Sequence, residues 1–348
     1  MELNLSQDPE LRILYGYGQT GLFNLGNTCY LNTAIQCLSS VKIITAYFLS
    51  NQYLTDLAEQ KNESKFVGEY SSLLKRLWRN NSQISPTQFK ESVSYFYDVF
   101  KGKDQHDSAE AFCKIIELLH EGLVYEADLD DPECGSVYRE ALNCWRVNYE
   151  NNYSIILKFF YGQFWSRSKC GICNTVFNKF DSFSIINLPL NNKTNTLEDC
   201  LRYYVLTEDM VNDDMLNCEK CKRHCIGKRK ITVWRMPPVI TFCFNRFDMK
   251  SNKIDKLIDF PVGSCNFPTL AERTFEKKTM YELTAIGNHE GSLFGGHYWA
   301  VTKGTNGKWY EYDDHRVREI GMESLVSNNA YYLVYVKKKV NVRQIINS

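Results

Sequence analysis

Gly21-Leu22-Phe23-Asn24-Leu25-Gly26-Asn27-Thr28-Cys29-Tyr30-Leu31-Asn32 is the stretch on which the reading of this chain turns. Its first half is a Gly/Asn-rich loop. After Cys29 the apolar residues Leu31, Ala34, Ile35 and Leu38 fall at helical spacing, so Cys29 is expected where loop becomes helix. A helix N-terminus offers unpaired N–H groups and partial positive charge, which favours an anionic sulfur. The same amides can donate to a developing oxyanion, and the Asn24 side-chain amide just upstream is a further donor. Most cysteines in a chain of this kind are small buried hydrophobes, so a catalytic reading of Cys29 needs a partner.

The partner is expected from a hairpin near the other end. Gly295-Gly296-His297-Tyr298-Trp299-Ala300-Val301 runs into Gly304-Thr305-Asn306-Gly307 and then Lys308-Trp309-Tyr310-Glu311-Tyr312-Asp313-Asp314. Strands folding back about Thr305 put His297 opposite Asp313, and a centre shifted by half a residue gives Asp314. Directly opposed residues are close enough for a carboxylate to orient an imidazole, and alternation allows only one aspartate to do so from the strand. Such an aspartate fixes the tautomer and leaves the other ring nitrogen for Cys29. Gly295 and Gly296 leave room for a substrate backbone. The bland alternative is an exposed hairpin with a surface histidine and a solvated acidic pair.

Between these ends the texture changes once. Phe66, Tyr70, Leu73, Leu74 and Leu77 form a helical stripe, as do Ala109, Phe112, Ile116 and Leu119. Ser85-Pro86 reads as an N-cap followed by proline at the first helical position. The first 120 or so residues are thus expected to be mainly helical. The acidic stretch Glu126 to Asp131 reads as a solvated loop. From Leu157 onward, Ile185 to Leu188, Lys230 to Trp234, Val239 to Phe247, Leu283 to Gly287, His297 to Thr302, Lys308 to Tyr312 and Tyr331 to Val336 are β-rich runs. Helices first and strands later predict an α+β architecture with the helices gathered in one lobe.

Composition narrows the function classes. The 348 residues are 44% apolar, enough for a sizeable core, and carry 41 basic and 41 acidic side chains. That balance asks for no nucleic-acid partner. The thirteen cysteines, an odd number in a long chain without a secretory pattern, point to a reducing compartment, cytoplasmic or nuclear. No apolar run approaches a membrane span, so no membrane insertion is expected.

Three motifs together resemble one family. The segment from Gly21 to Asn32, with Gln36 behind it, looks like the cysteine box of the ubiquitin-specific proteases. His289-Glu290-Gly291-Ser292, Gly295 to Ala300 and Tyr310 to Val317 look like its histidine box, and Gln105-His106-Asp107-Ser108-Ala109-Glu110 like the short box between them. The resemblance runs from about Gly21 to Lys337, roughly nine tenths of the chain. It implies a papain-like cysteine peptidase fold with a helical thumb, a β-rich palm and zinc-ribbon fingers, and a triad of Cys29, His297 and Asp313. Asn24 would be the oxyanion donor and Asp314 the second candidate for the third triad position. The implied domains are a short extension at 1–20, the catalytic domain at 21–337 with fingers within about 158–250, and a basic tail at 338–348. The implied partners are ubiquitin and ubiquitinated proteins, met by a monomer. Asp107 and Glu110 would meet the basic ubiquitin tail, a role compatible with a helix capping box at the same positions. Gly295 and Tyr298 would border a narrow channel selecting Gly-Gly. The sequence departs from the family pattern at Ala111, where Phe or Leu is commoner; Phe112 is expected to compensate.

Cys170-Gly171-Ile172-Cys173 and Cys218-Glu219-Lys220-Cys221 are two CxxC pairs flanked by β-rich sequence. Four thiolates at knuckle spacing suit a closed tetrahedral zinc site, structural because no ligand position remains open; the family has such a site at its fingertip. Cys225 and His224 lie nearby as substitute ligands. No organic cofactor is expected. The basic cluster from Lys220 to Lys230 lacks interleaved aromatics and reads as a solvated β-finger rather than a nucleic-acid surface. The rival readings are a peptidase for another ubiquitin-like modifier, a catalytically silent ubiquitin-binding module and, distantly, a zinc-ribbon nucleic-acid binder.

Overall fold

The computed structural model describes residues 18–59, 61–79, 83–129, 135–248, 250–273, 276–292 and 295–338. Most of the 1–20 extension, most of the 338–348 tail and the end of the acidic Glu126–Asp131 stretch lie outside the described residues; Glu126 and Asp128 are exposed in irregular chain.

The amphipathic stripes become helices as their periodicity requires. The first lobe contains α1 (Cys29–Ser39), α2 (Lys42–Leu49), α3 (Glu63–Arg79), α4 (Thr87–Phe96), α5 (Ser108–Glu121), α6 (Ser136–Tyr149) and α7 (Ile155–Phe160). Every residue of α1 is buried, because the helix is enclosed by α5 on one side and the sheet on the other. The stripe Phe66, Tyr70, Leu73, Leu74 and Leu77 lies on the buried face of α3. In α5, Ala111 and Phe112 are both fully buried, and Phe112 packs its ring on Tyr332 and Phe160. Two readings shift. Helix continues beyond residue 120 through α6 and α7. The N-cap of α4 falls on Pro86, one residue later than Ser85, and Ser85 instead shares a hydrogen bond with the Thr87 hydroxyl.

The strand region begins with β1 (Gly162–Cys170), β2 (Val176–Phe183) and β3 (Ile186–Pro189), then helix α8 (Leu197–Tyr204). It continues with β4 (Glu208–Met210), β5 (Leu216–Cys218), β6 (Arg223–Cys225), β7 (Gly227–Arg235) and β8 (Val239–Asn245). The last group is β9 (Ser264–Cys265), β10 (Tyr281–Ser292), β11 (Gly295–Lys303), β12 (Trp309–Asp313), β13 (Arg316–Ile320) and β14 (Ala330–Lys337). The palm sheet runs β13-β12-β11-β10-β14-β8-β3, with β9 on the side of β10. A separate finger sheet, β2-β1-β7-β4, ends in the small β5-β6 hairpin. The palm is buried on both faces. One face joins α1 and α5 in the larger core through residues such as Leu31, Phe112 and Tyr332, and the other packs Phe242, Phe267 and Tyr335 beneath α8. Each large apolar side chain so enclosed is worth about 1.5–3 kcal/mol, which is why the two lobes hold a cleft between them in fixed register.

Candidate active site

The Gly/Asn loop is shaped by its own polar atoms. Gly26 (φ +103°) and Asn27 (φ +54°) take left-handed backbone, which glycine and asparagine tolerate best. Asn24 Oδ1 accepts from the amides of Gly26 and Thr28, each at 3.0 Å, and Thr28 Oγ1 accepts from the Leu25 amide at 2.8 Å. This pinned turn delivers Cys29 as the first residue of α1, 2% exposed. One helical turn on, Asn32 Nδ2 donates to Asp314 Oδ1 at 2.8 Å, and Gln36 Nε2 donates to the Thr20 carbonyl at 2.8 Å. The polar residues inside this buried helix therefore tie it to the chain entry and to the end of β12.

His297 projects from β11 toward Cys29. Its Nε2 lies 2.6 Å from Asp313 Oδ1, which leaves Nδ1 as the nitrogen available to the thiol. Hydrogen bonding to Cys29 is the main cause that lifts the imidazole to about 9; partial burial opposes it and Asp313 adds to the lift. The hairpin's fold-back centre differs by one residue from the expected one, so each pairing moves by two. Ala300 pairs with Tyr312 and Lys303 with Trp309, so the fold-back centre is Asn306 and not Thr305. The cause is the turn: the Gly304 amide bonds the Lys308 carbonyl, Gly307 takes φ +79°, and Asn306 Oδ1 caps the Lys308 amide. Asp313 consequently reaches His297 along the diagonal rather than straight across, a span that long side chains bridge. The strand ends there. Asp314, at φ +50°, stays within 4.8 Å of the imidazole nitrogen, but its carboxylate accepts from Asn24 Nδ2 (2.9 Å) and Asn32 Nδ2 (2.8 Å). The two adjacent aspartates therefore serve two different partners. One N–H of Asn24 is held by Asp314, and the amide retains a second N–H that can donate.

The expected tail-binding positions separate on inspection. Asp107 caps α5, with Oδ1 accepting from the amides of Ala109 (2.6 Å) and Glu110 (3.1 Å), while Oδ2 accepts from the Tyr331 hydroxyl. Glu110 is exposed, and the reciprocal bond of a capping box is not made among the described residues. Gly295 is exposed beside the cleft. Tyr298, expected to border a channel, is buried at 6% exposure; its ring packs on His289 and Tyr331 beneath the site, so it supports the wall rather than presenting a surface. The same face explains Gly296: a Cβ there would come within 2.3 Å of His289 Nε2. Burial holds His289 down to about 4, so it is neutral where the backbone passes over it. Gln105 clamps that backbone from the other side, accepting from the Gly296 amide at 2.9 Å and donating to the Gly296 carbonyl. In the sequence Gln105 is visible only as the first residue of its box, with no role attached. No local pattern marks Tyr331.

At the other end of the molecule the two CxxC pairs meet. The ligand atoms of Cys170, Cys173, Cys218 and Cys221 all lie within 4.8 Å of one another. Cys170 ends β1, Cys218 ends β5, and a small apolar cluster surrounds them. Amide donation from Cys173 and Ile172 draws the Cys170 thiol down to about 6. Four inward-facing sulfurs at this spacing fit a tetrahedral thiolate-binding ion. In the basic cluster, Arg229 and Lys228 pair with Glu208 and Asp209 across the finger sheet. No helix among the described residues is long and apolar enough to cross a membrane.

A thiol opening a buried helix, an imidazole on the facing sheet and a carboxylate behind it define a papain-like cysteine hydrolase architecture. The chain belongs to the ubiquitin carboxyl-terminal hydrolase family, whose model matches residues 20–335. It is 28% identical over 335 residues to Ubiquitin carboxyl-terminal hydrolase 2 of Rattus norvegicus, covering 91% of this chain and 54% of that protein. It is 30% identical over 376 residues to Ubiquitin carboxyl-terminal hydrolase 4 of Vanderwaltozyma polyspora, covering 95% of this chain and 42% of that one. The chain thus spans about half the length of the curated relatives it matches. Among solved structures, the SAGA DUB module of Ubp8, Sgf11, Sus1 and Sgf73 bound to monoubiquitin matches with a TM-score of 0.72 at 22% identity, covering 93% of this chain and 70% of the matched one. That likeness establishes the shared fold.

Proposed function

We propose that this chain is a deubiquitinating thiol peptidase that hydrolyses the peptide or isopeptide bond after the C-terminal glycine of ubiquitin. The observation that carries the reading is the unbroken line from Cys29 through His297 to Asp313, with one ring nitrogen held by each neighbour.

The Cys29 thiolate attacks the glycine carbonyl carbon, and the oxyanion meets the free N–H of Asn24 and the amides that open α1. Asp314 orients Asn24 as Asp313 orients His297. The imidazolium gives its proton to the departing lysine amine, leaving a thioester on Cys29. His297 then takes a proton from water, the resulting hydroxide displaces the thiolate, and the ubiquitin carboxylate leaves. Gly295 and Gly296 let the Gly-Gly tail pass close to the imidazole. Asp107 and Glu110 lie beyond it for the basic tail, with Tyr331 holding Asp107 in place. Zinc held by Cys170, Cys173, Cys218 and Cys221 would brace the finger and take no part in the chemistry. The free thiols and the acid–base balance suit a protein of the cytosol or nucleus.

Hydrolysis of a ubiquitin C-terminal fluorogenic conjugate tests the reading, with Cys29→Ala and other modifier conjugates alongside. Ubiquitin turnover that vanishes in Cys29→Ala is the expected result. Turnover of a different modifier alone would replace the substrate. Silence on every modifier, with ubiquitin still bound, would make this a binding module.

A further inference from the structure

The fingertip carries more thiol than a four-coordinate ion can use. Cys225 ends β6 and is 5% exposed. Its Sγ lies 3.4 Å from Cys170 Sγ, while Cys221 Sγ lies 3.9 Å from the same sulfur. Sulfurs around a tetrahedral zinc at 2.3 Å are about 3.8 Å apart, so both stand near ligand spacing from Cys170. The β5–β6 register explains the orientation. Cys225 pairs with Leu216 and so shares a face with Cys218, whereas His224 pairs with Asn217 and is exposed on the opposite face. Of the two nearby substitutes that the sequence offers, only Cys225 faces the cluster.

We propose that Cys225 is an alternative fourth zinc ligand: Cys170, Cys173 and Cys218 hold the ion, and Cys221 and Cys225 compete for the last position. The inference rests on the zinc reading above. In the exchange, the bond from zinc to Cys221 breaks as the bond to Cys225 forms. The incoming thiol's proton passes to the outgoing thiolate, so charge and coordination number are conserved. The two states differ in exposure. Cys221 is half-buried on the turn after β5, where Lys222 takes φ +55°, whereas Cys225 is buried in a strand. The ion therefore has a sheltered ligand to move to when an oxidant or electrophile modifies the accessible one.

The test is zinc content of the full chain, measured by elemental analysis after gel filtration, for wild type, Cys173→Ser, Cys221→Ser, Cys225→Ser and the Cys221→Ser/Cys225→Ser double variant. About one zinc per chain is expected in wild type and in the Cys221 and Cys225 single variants, and almost none in Cys173→Ser or the double. A Cys221→Ser protein as empty as Cys173→Ser, beside a loaded wild type, overturns this inference and leaves the zinc reading standing. A wild type without zinc overturns both. Should Cys221→Ser fail to fold, Cys225→Ser keeps its first four thiols and decides the matter. Its zinc should pass to a chromogenic chelator about tenfold faster than wild-type zinc, the scale seen when a supporting partner is lost. Equal rates overturn the proposal.

Discussion

At Cys29 a single sulfur opens a buried helix beside a half-exposed imidazole, whereas at the fingertip several sulfurs face one another and no histidine lies among the clustered groups. Both are thiol centres of one chain, drawn from the same thirteen cysteines. What separates them is the company of the sulfur. A thiol facing one proton acceptor can exchange a proton and attack a carbonyl; thiols facing each other share a cation instead. A third population makes the contrast sharper. Burial, the largest cause, pushes Cys37 and Cys113 up to about 12, with Glu117 and Asp107 adding to it at Cys113, so these remain neutral packing groups.

The largest effect is expected from exchanging the two losses. Cys29→Ala should lower turnover of a ubiquitin conjugate by about 10⁴-fold or more, while zinc content stays at the wild-type level. Cys173→Ser should do the reverse, emptying the fingertip while kcat falls by no more than about tenfold, since no reacting atom is touched. Elemental analysis and single-turnover kinetics on both variants read this directly. A Cys173→Ser enzyme as inactive as Cys29→Ala would mean that the two centres are coupled. Within the catalytic end, Asp313→Asn should cost about 10²–10⁴-fold in kcat with little change in KM, because it disturbs the imidazole rather than ubiquitin docking. A loss confined to KM would move Asp313 from orientation to binding. Gln105→Ala comes next. It frees the backbone of Gly296, one residue before His297, and should lower kcat about tenfold by loosening the imidazole's placement. An unchanged kcat would show that His289 alone fixes that segment.

How these centres could be read from sequence follows from the range over which each is built. Cys29 was legible because its loop and helix are adjacent in the chain and their signals are local. The fingertip was legible because CxxC spacing encodes a knuckle by itself. The helical stripes of α3 and α5 and the runs that became β8, β10 and β14 followed from periodicity alone. What failed was register. The hairpin centre moved from Thr305 to Asn306 because the turn is set by the Asn306 side-chain cap and the left-handed backbone of Gly307, which strand alternation does not reveal. That shift made Asp313 a diagonal partner. The division of labour between the two aspartates depends on the left-handed turn at Asp314 and on contacts with Asn24 and Asn32 nearly three hundred positions away. Tyr331 under Asp107 and Gln105 on Gly296 are likewise long-range pairs that no local pattern announces. Tyr298, which the resemblance puts on the channel, is instead buried because its face of β11 packs on His289 and Tyr331.

The smallest effect bears on why the catalytic sulfur and ring belong together. His297 is held up to about 9 chiefly by its hydrogen bond to Cys29, with partial burial opposing and Asp313 assisting. Removing the sulfur removes the first cause. The imidazole of Cys29→Ala, followed by NMR titration, should therefore lose its proton at a lower pH than about 9, moving toward the ordinary histidine range near 6.5. For wild type, turnover should fall as pH rises through about 9, since the neutral ring has no proton for the leaving amine. The sign for stability is the same. A ring whose pKa is raised by folding stabilises the fold fully below about 6.5 and loses that contribution as pH climbs through about 9. The gap in denaturation midpoint between wild type and Cys29→Ala should narrow over that window, and modestly, because the ring is 43% exposed and solvent screens the pair. A His297 that still titrates near 9 without Cys29 would assign the lift to Asp313 instead, and the catalytic end would then be held by its carboxylate rather than by its thiol.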